Sequence, residues 1–250
     1  MSGHSKWASI KHKKATVDAR RGKLFTKLAR HITVAAKEGG GDLEGNPSLA
    51  LAVQKAKDAS MPKDNIGRAI QRGTGAGADA ESYEEVLYEG YGPGGVAVLV
   101  EALTDNRNRT GSDVRHAFSR HGGNLGEPGS VSYLFEKKGV IVVDSGAYGE
   151  DDLIVAIDAG AQDIAVDDDV LEVVSEPADL AAVRAALEDA GIAFLSAEVT
   201  FRPSTRIEID EATVAKLMRL IDTLEDNDDV GDVHANFDAD AEVLERVLSG

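Results

Sequence analysis

The sequence predicts an α+β protein in which an N-terminal three-helix bundle is followed by two α/β domains, one of them a ferredoxin-like unit inserted in a split domain. Two observations lead to this fold class. Helical periodicity dominates up to about residue 73, whereas β-branched residues become frequent after the Gly/Ala-rich segment GTGAGADAES. From Gly139 onward, the predicted elements follow in the order β-α-β-β-α-β within about 65 residues, which is the ferredoxin-like order.

Three helices are predicted before residue 75. The strongest runs from Asp18 to Lys37, where apolar residues recur on one side at helical spacing, and a triple glycine follows it. A second runs from Ser48 to about Ala59 and is opened by Asn46-Pro47, because proline fits the first turn of a helix. A third starts near Lys63. We expect the three helices to pack as a small bundle.

Strands and one further helix are predicted between residues 80 and 136. The strands are Val86–Tyr88, Val96–Val100 and a segment in which Val131, Tyr133 and Phe135 alternate with polar or smaller residues. The polar sequence TDNRNRTGSD is predicted as a loop, and Thr110 with Asp113 resembles a capping box before a helix at Val114–Arg120. The glycines of GYGPGG match a dinucleotide-binding pattern, but a strand follows where a helix is required, so we interpret them as a turn.

The last segment of the chain completes one of the domains. From residue 204 onward, the predicted elements are a strand at Arg206–Ile209, a helix, and a strand near Val233–Phe237. These three elements are too few to form a domain alone. We therefore pair this segment with the one that precedes the ferredoxin-like unit. The predicted domains are 1–75, basic and helical; 76–137 together with 204–250, a split α/β domain; and 138–203, the inserted ferredoxin-like domain.

Charge is distributed unevenly along the chain. The first 38 residues hold ten Lys and Arg residues and two acidic residues, whereas the remaining 212 hold 17 basic and 42 acidic residues. The net charge is therefore +8 in the first segment and −25 in the rest. A basic segment on an acidic body is typical of a protein that binds a polyanion, and nucleic acid is the commonest such partner.

The sequence also disfavours several classes of protein. It has no cysteine, which excludes disulfides and thiolate chemistry and fits a cytoplasmic location. No apolar run approaches the roughly 20 residues of a membrane helix, and the first residues do not read as a secretory signal. Asp226–Gly231 resembles a calcium loop only faintly and is interpreted as an acidic surface turn, and Asp167–Asp169 is interpreted as a hairpin turn. We expect no enzyme activity, no cofactor, no metal and no membrane partner.

The basic segment supplies the candidate nucleic-acid contacts. Lysine and arginine bind phosphates, and an exposed indole beside cations can stack on an unpaired base. The candidates are Lys6, Trp7, Lys11, His12, Lys13, Lys14, Arg20, Arg21, Lys23, Lys27 and Arg30. Trp7 has a second interpretation, in which its indole belongs to the core of the helical bundle.

A second group of arginines lies in and after TDNRNRT. Arg107, Arg109 and Arg115 form a second candidate contact with phosphates or with another domain. The alternative is that these arginines pair with acidic neighbours such as Asp105 and Asp113.

Long stretches of the sequence resemble one family. They are GHSKWASIKHKKATVDARRGKLFTKLARHI, SMPKDNIGRAIQRG, YEGYGPGGVAVLVEALTDNRNRT, GGNLGEPGSVSYLFEKKG and the closing FRP. Through them the chain resembles the YebC/PmpR family, which includes a mitochondrial translational activator of cytochrome oxidase. The resemblance implies an N-terminal helical bundle and two α/β domains, and a nucleic-acid-binding role that is not enzymatic.

Two functions are open at this point. One is that of a DNA-binding transcriptional regulator. The other, also implied by the resemblance, is that of a ribosome-associated translation factor that binds ribosomal or transfer RNA and relieves stalling on proline-rich stretches. The sequence contains no evident helix-turn-helix, the usual element for reading a specific DNA sequence.

Overall fold

Three helices pack together at the N-terminal end of this computed structural model, which describes residues 18–75, 83–167 and 169–249. The helices are α1 (Asp18–Gly39), α2 (Pro47–Asp58) and α3 (Lys63–Thr74). They share an apolar core that includes Leu28, Ile32 and Leu49. The predicted bundle is therefore present, with Pro47 in the first turn of α2 as expected.

The buried side chain of Asn46 joins the end of α1 to the start of α2. Its oxygen accepts a hydrogen bond from the backbone N–H of Leu49 at 3.1 Å, which caps α2. Its amide nitrogen donates to the carbonyls of Ala35 at 2.8 Å and Gly40 at 2.9 Å. One amide thus satisfies backbone groups at two helix termini and fixes the angle between the helices.

A four-stranded antiparallel sheet follows, with the strand order β3-β1-β2-β9. Its strands are β1 (Glu84–Tyr91), β2 (Ala97–Thr104), β3 (Asn124–Leu125) and β9 (Val230–Ala235). The helices α4 (Arg107–Arg120) and α7 (Glu211–Glu225) cover one face, where Phe118 and Leu217 are fully buried. Because β9 comes from the last segment of the chain, the sheet has the split arrangement that the sequence predicted.

The inserted unit is a second four-stranded antiparallel sheet, with the order β5-β6-β4-β7. Its strands are β4 (Phe135–Asp144), β5 (Ala161–Asp167), β6 (Val170–Ser175) and β7 (Ser196–Pro203). The helices α5 (Ile154–Asp158) and α6 (Leu180–Asp189) alternate with the strands along the chain, and Leu153, Leu187 and Ile141 form part of a shared core. The predicted ferredoxin-like order is confirmed.

A short parallel pair, β8 (Ile207–Glu208) and β10 (Phe237–Asp238), and a last helix, α8 (Ala241–Ser249), complete the described fold. The sequence analysis did not predict α8. It forms because Leu244 is fully buried in the same apolar core as α7, so tertiary packing supports a helix of nine residues that would be marginal alone.

The prediction of a loop at TDNRNRTGSD was wrong. Helix α4 begins at Arg107, and Asn106 caps it by accepting a hydrogen bond from the N–H of Arg109 at 3.1 Å. Thr110 is consequently an interior helix residue rather than a cap, and its hydroxyl is buried. The capping box was misplaced because Asn106 and Thr110 are both residue types that favour N-caps.

The prediction of a strand through Val131 and Tyr133 was also wrong. Ser132–Leu134 is a 3-10 turn, and the strand begins at Phe135. The carboxylate of Glu89 accepts hydrogen bonds from the N–H groups of Val131 at 2.7 Å and Ser132 at 2.8 Å. Those donors are therefore not available to a neighbouring strand. By contrast, the predicted turn in GYGPGG is present at Pro93–Gly95 between β1 and β2, although its first two residues, Gly90 and Tyr91, belong to β1.

Three large apolar clusters correspond to the helical bundle, the split sheet and the inserted sheet. The boundaries proposed from the sequence, at 75/76, 137/138 and 203/204, stay a prediction. Within the described residues, no helix has both the length and the apolar character needed to cross a membrane.

Candidate nucleic-acid interface

The predicted contact residues fall into two groups with respect to the structure. Lys6, Trp7, Lys11, His12, Lys13 and Lys14 lie outside the described residues. Arg20 is placed in α1, and Arg21 is an exposed residue of the same helix. The remaining candidates of this segment, Lys23, Lys27 and Arg30, lie on one side of α1 because they are spaced by four and three residues. We call these three residues the basic face.

The basic face contacts the end of α7 and the turn that follows it. We call this segment, Glu225–Asp229, the acidic turn. Lys23 Nζ lies 3.2 Å from Asp226 Oδ1, and Lys27 Nζ donates to the carbonyl of Glu225 at 2.5 Å. Helix α1 therefore contacts the domain of the split sheet through the same lysines that the sequence analysis predicted to bind phosphates.

Arg30 makes the most extensive contacts of the basic face. Its Nη1 donates to the carbonyls of Asp228 at 2.9 Å and Leu103 at 3.3 Å, and to Asp229 Oδ1 at 3.1 Å. The guanidinium also lies 4.9 Å from the ring centroid of Tyr83. With a side chain that is only 18% exposed, Arg30 is held more firmly than the half-exposed Lys23.

Asp229 collects hydrogen bonds from two structural units. Besides Arg30, its carboxylate accepts from Arg109 Nη2 at 2.6 Å, Thr110 Oγ1 at 2.7 Å and Thr104 Oγ1 at 3.2 Å. Burial alone would raise the pKa of Asp229, but the hydrogen bonds from Arg109 and Thr110 outweigh it and hold that pKa below its ordinary value. The sequence analysis placed Asp229 in a surface turn, whereas this residue is only 6% exposed.

The second group of arginines is less uniform than its spacing suggested. Arg109 pairs with both Asp105 and Asp229, and Arg107 lies 3.9 Å from Glu84. Arg115 is exposed on α4. Pairing with acidic neighbours thus describes Arg109 and, at the exposed surface, Arg107, while contact of the group with phosphates stays a prediction.

An open cleft of about 570 Å³ lies between α1 and the split sheet. It is lined by Lys23, Arg30, Tyr83, Asp105, Arg109, Asp113 and residues 226–229. Acidic side chains outnumber cations on its walls, so the cleft in this arrangement repels a polyanion. Within the described residues, no three His, Asp or Glu side chains are grouped as a metal site would require.

A second set of charged contacts joins all three cores, and the sequence analysis missed it. Lys55 Nζ of α2 lies 2.7 Å from Asp232 of β9 and 3.6 Å from Glu198 of β7. The pKa of Lys55 is raised, because attraction to these two carboxylates exceeds the opposing effect of burial. Nearby, His234 Nε2 lies 2.7 Å from Glu101. No local pattern could have found this set, since Lys55 and Asp232 are 177 positions apart.

Comparison with known proteins gives two matches to family descriptions. Residues 5–76 match the "TACO1/YebC protein N-terminal domain". Residues 83–237 match the "TACO1/YebC second and third domain". The two matches follow each other along the chain in the order that these descriptions state.

Similar proteins cover nearly the whole chain. A "Probable transcriptional regulatory protein" of Rubrobacter xylanophilus is 59% identical over 248 residues, which are 99% of each chain. The "Probable transcriptional regulatory protein SCO1521" of Streptomyces coelicolor is 56% identical over 248 residues, again 99% of each chain. The fold is also similar to the crystal structure of the conserved hypothetical protein Aq1575 from Aquifex aeolicus, with a TM-score of 0.80. The match covers 92% of this chain and 95% of that one, and the two sequences are 50% identical.

Proposed function

Because this chain belongs to the YebC family, we propose that it is a regulator of gene expression that acts by binding nucleic acid and not by catalysis. The name shared by its relatives in Rubrobacter and Streptomyces supports a role in transcription. We accordingly propose DNA as the nucleic acid that this protein binds. RNA binding at the ribosome is the alternative that the experiment below distinguishes.

The observation that carries this proposal is the separation of charge along the chain. A segment of 38 residues has a net charge of +8, while the rest has −25. Neutralising phosphates releases condensed counterions, which favours binding of such a segment to any nucleic acid. The acidic remainder is repelled by the same phosphates, so it orients the protein with its basic end toward the ligand.

We assign the contact to the first 14 residues and to α1. The residues are Lys6, Trp7, Lys11, His12, Lys13, Lys14, Arg20, Arg21, Lys23 and Lys27. Arg30 belongs to the same side of the helix, but its side chain is already engaged at Asp229, so we expect it to contribute least. Arg107 and Arg115, which are on or near the surface of α4, are the secondary candidates.

The proposal is tested by titrating the full-length protein against labelled duplex DNA and single-stranded RNA of equal length at several salt concentrations. If six to ten phosphates are neutralised, affinity should fall by about 10³- to 10⁵-fold between 50 and 200 mM salt. Tighter binding to the duplex supports the role in transcription, and tighter binding to single strands supports the alternative. An absence of binding to both ligands at 50 mM salt would contradict the proposal.

A further inference from the structure

The cations of the basic face are already satisfied by oxygen atoms of the protein itself. The Asp226 carboxylate and the backbone carbonyls of Glu225 and Asp228 accept hydrogen bonds from Lys23, Lys27 and Arg30, respectively. Phosphate oxygens are acceptors for the same lysine and arginine donors, and they carry negative charge as the Asp226 carboxylate does. These protein oxygens therefore occupy positions that a bound phosphate backbone would take.

We propose that the acidic turn is an internal competitor for nucleic acid on the basic face of α1. This inference rests on the proposed function. Nucleic acid bound at residues 6–14 reaches the basic face of α1 only by exchanging protein acceptors for phosphates, and the acidic turn sets the cost of that exchange.

The contacts differ in how readily they can be exchanged. The side chains of Lys23 and Asp226 are 52% and 74% exposed, and an ion pair between such groups is weak because water and salt screen it. Arg30 and Asp229 are 18% and 7% exposed, so their pair is far more costly to break. Exchange therefore begins at Lys23, which is also the residue of the basic face nearest in sequence to Lys14.

The acidic turn keeps its position because α7 anchors it. Leu217, Leu220 and Leu224 of that helix are fully buried in the core of the split sheet. The exposed carboxylates of Asp226 and Asp228 on this fixed turn repel a polyanion that approaches α1. Removing the one carboxylate that pairs with Lys23 should consequently strengthen binding.

The experiment compares Asp226→Asn with Asp228→Asn in the full-length protein. Both variants remove one negative charge from the same turn, but among the described residues the Asp228 carboxylate forms no ion pair with α1. Dissociation constants for labelled duplex DNA and single-stranded RNA are measured by fluorescence anisotropy at low salt. We expect Asp226→Asn to bind about 2- to 5-fold more tightly than Asp228→Asn, as release of an exposed ion pair allows.

A double-mutant cycle identifies the cause. In a Lys23→Ala background, the gain from Asp226→Asn over Asp228→Asn should disappear, because no cation remains for which carboxylate and phosphate compete. If wild type binds and the two Asn variants bind with equal affinity, the inference is overturned and the proposed function stands. Failure of wild type and both variants to bind would overturn the proposed function and this inference together. Binding by Asp226→Asn alone would support the inference.

Discussion

At the scale of single residues, a few buried polar side chains do more to organise this protein than their sequence positions suggest. Asp229 and Glu89 are each nearly inaccessible to water and each collect three or more hydrogen bonds. Neither could be singled out in a chain with 44 acidic residues. What distinguishes them is the set of donors around them, and those donors come from distant parts of the chain.

Replacing Asp229 by Asn should destabilise the protein. The substitution removes the charge that compensates Arg30 and Arg109, and we expect a loss of about 2–3 kcal/mol, below the 3–5 kcal/mol of a fully buried pair because Arg109 is half exposed. Urea unfolding of wild type and the variant measures this loss of unfolding free energy. Asp228→Asn, an exposed residue of the same turn, is the control and should stay within about 0.5 kcal/mol of wild type.

The unfolding free energy of Asp229→Asn should also differ from that of wild type in its pH dependence. Because the pKa of Asp229 is depressed in the folded protein, its stabilisation is fully present above the unfolded value of about 3.9 and is lost as pH falls toward the folded value. The difference in unfolding free energy between wild type and Asp229→Asn should therefore shrink below about pH 4. A difference that stayed constant from pH 7 to pH 2 would contradict this role for the carboxylate.

At the scale of elements, periodicity predicted most helices and strands, and the errors have definite causes. The amphipathic helix α1 was predictable because its apolar and basic residues repeat at helical spacing. Helix α8 was not, since it depends on partners far away in sequence. The start of α4 was misplaced because Asn106 and Thr110 both belong to residue types that favour N-caps, and the cap is Asn106. The turn at Ser132–Leu134 was mistaken for a strand because the side chain that holds it, Glu89, lies 43 positions earlier.

Glu89 should hold the segment from Gly126 to Ser132 in place. Its carboxylate accepts from the N–H groups of Gly129, Val131 and Ser132, and these bonds outweigh burial and keep the pKa of Glu89 below its ordinary value. We expect Glu89→Gln to cost about 1.5–3 kcal/mol, the range for hydrogen bonds to a charged group.

Hydrogen exchange gives the local test of that expectation. Protection of the Val131 and Ser132 amides should fall in Glu89→Gln, while the exposed Glu127→Gln in the same loop should leave it unchanged. Equal protection in wild type and both variants would show that the loop does not depend on the Glu89 carboxylate.

At the scale of the whole molecule, charged contacts connect the three cores. Asp229 joins α1 to the split sheet, Lys55 contacts carboxylates of both sheets, and Arg184 of α6 lies 2.7 Å from Asp58 of α2. Composition predicted that a basic end and an acidic body exist. It could not predict that the acidic turn meets the basic face, because attraction between the two depends on how the chain folds.

The central claim is that the N-terminal basic segment carries the nucleic-acid contact. The most direct measurement compares the salt dependence of binding for wild type, Lys13→Ala/Lys14→Ala, and the control Lys137→Ala/Lys216→Ala. The control removes two exposed lysines from the acidic body, so both double variants change the net charge equally. We expect the first variant to make the slope of log affinity against log salt shallower by up to about two, and the control to leave it unchanged. Equal slopes for the two double variants would contradict the claim.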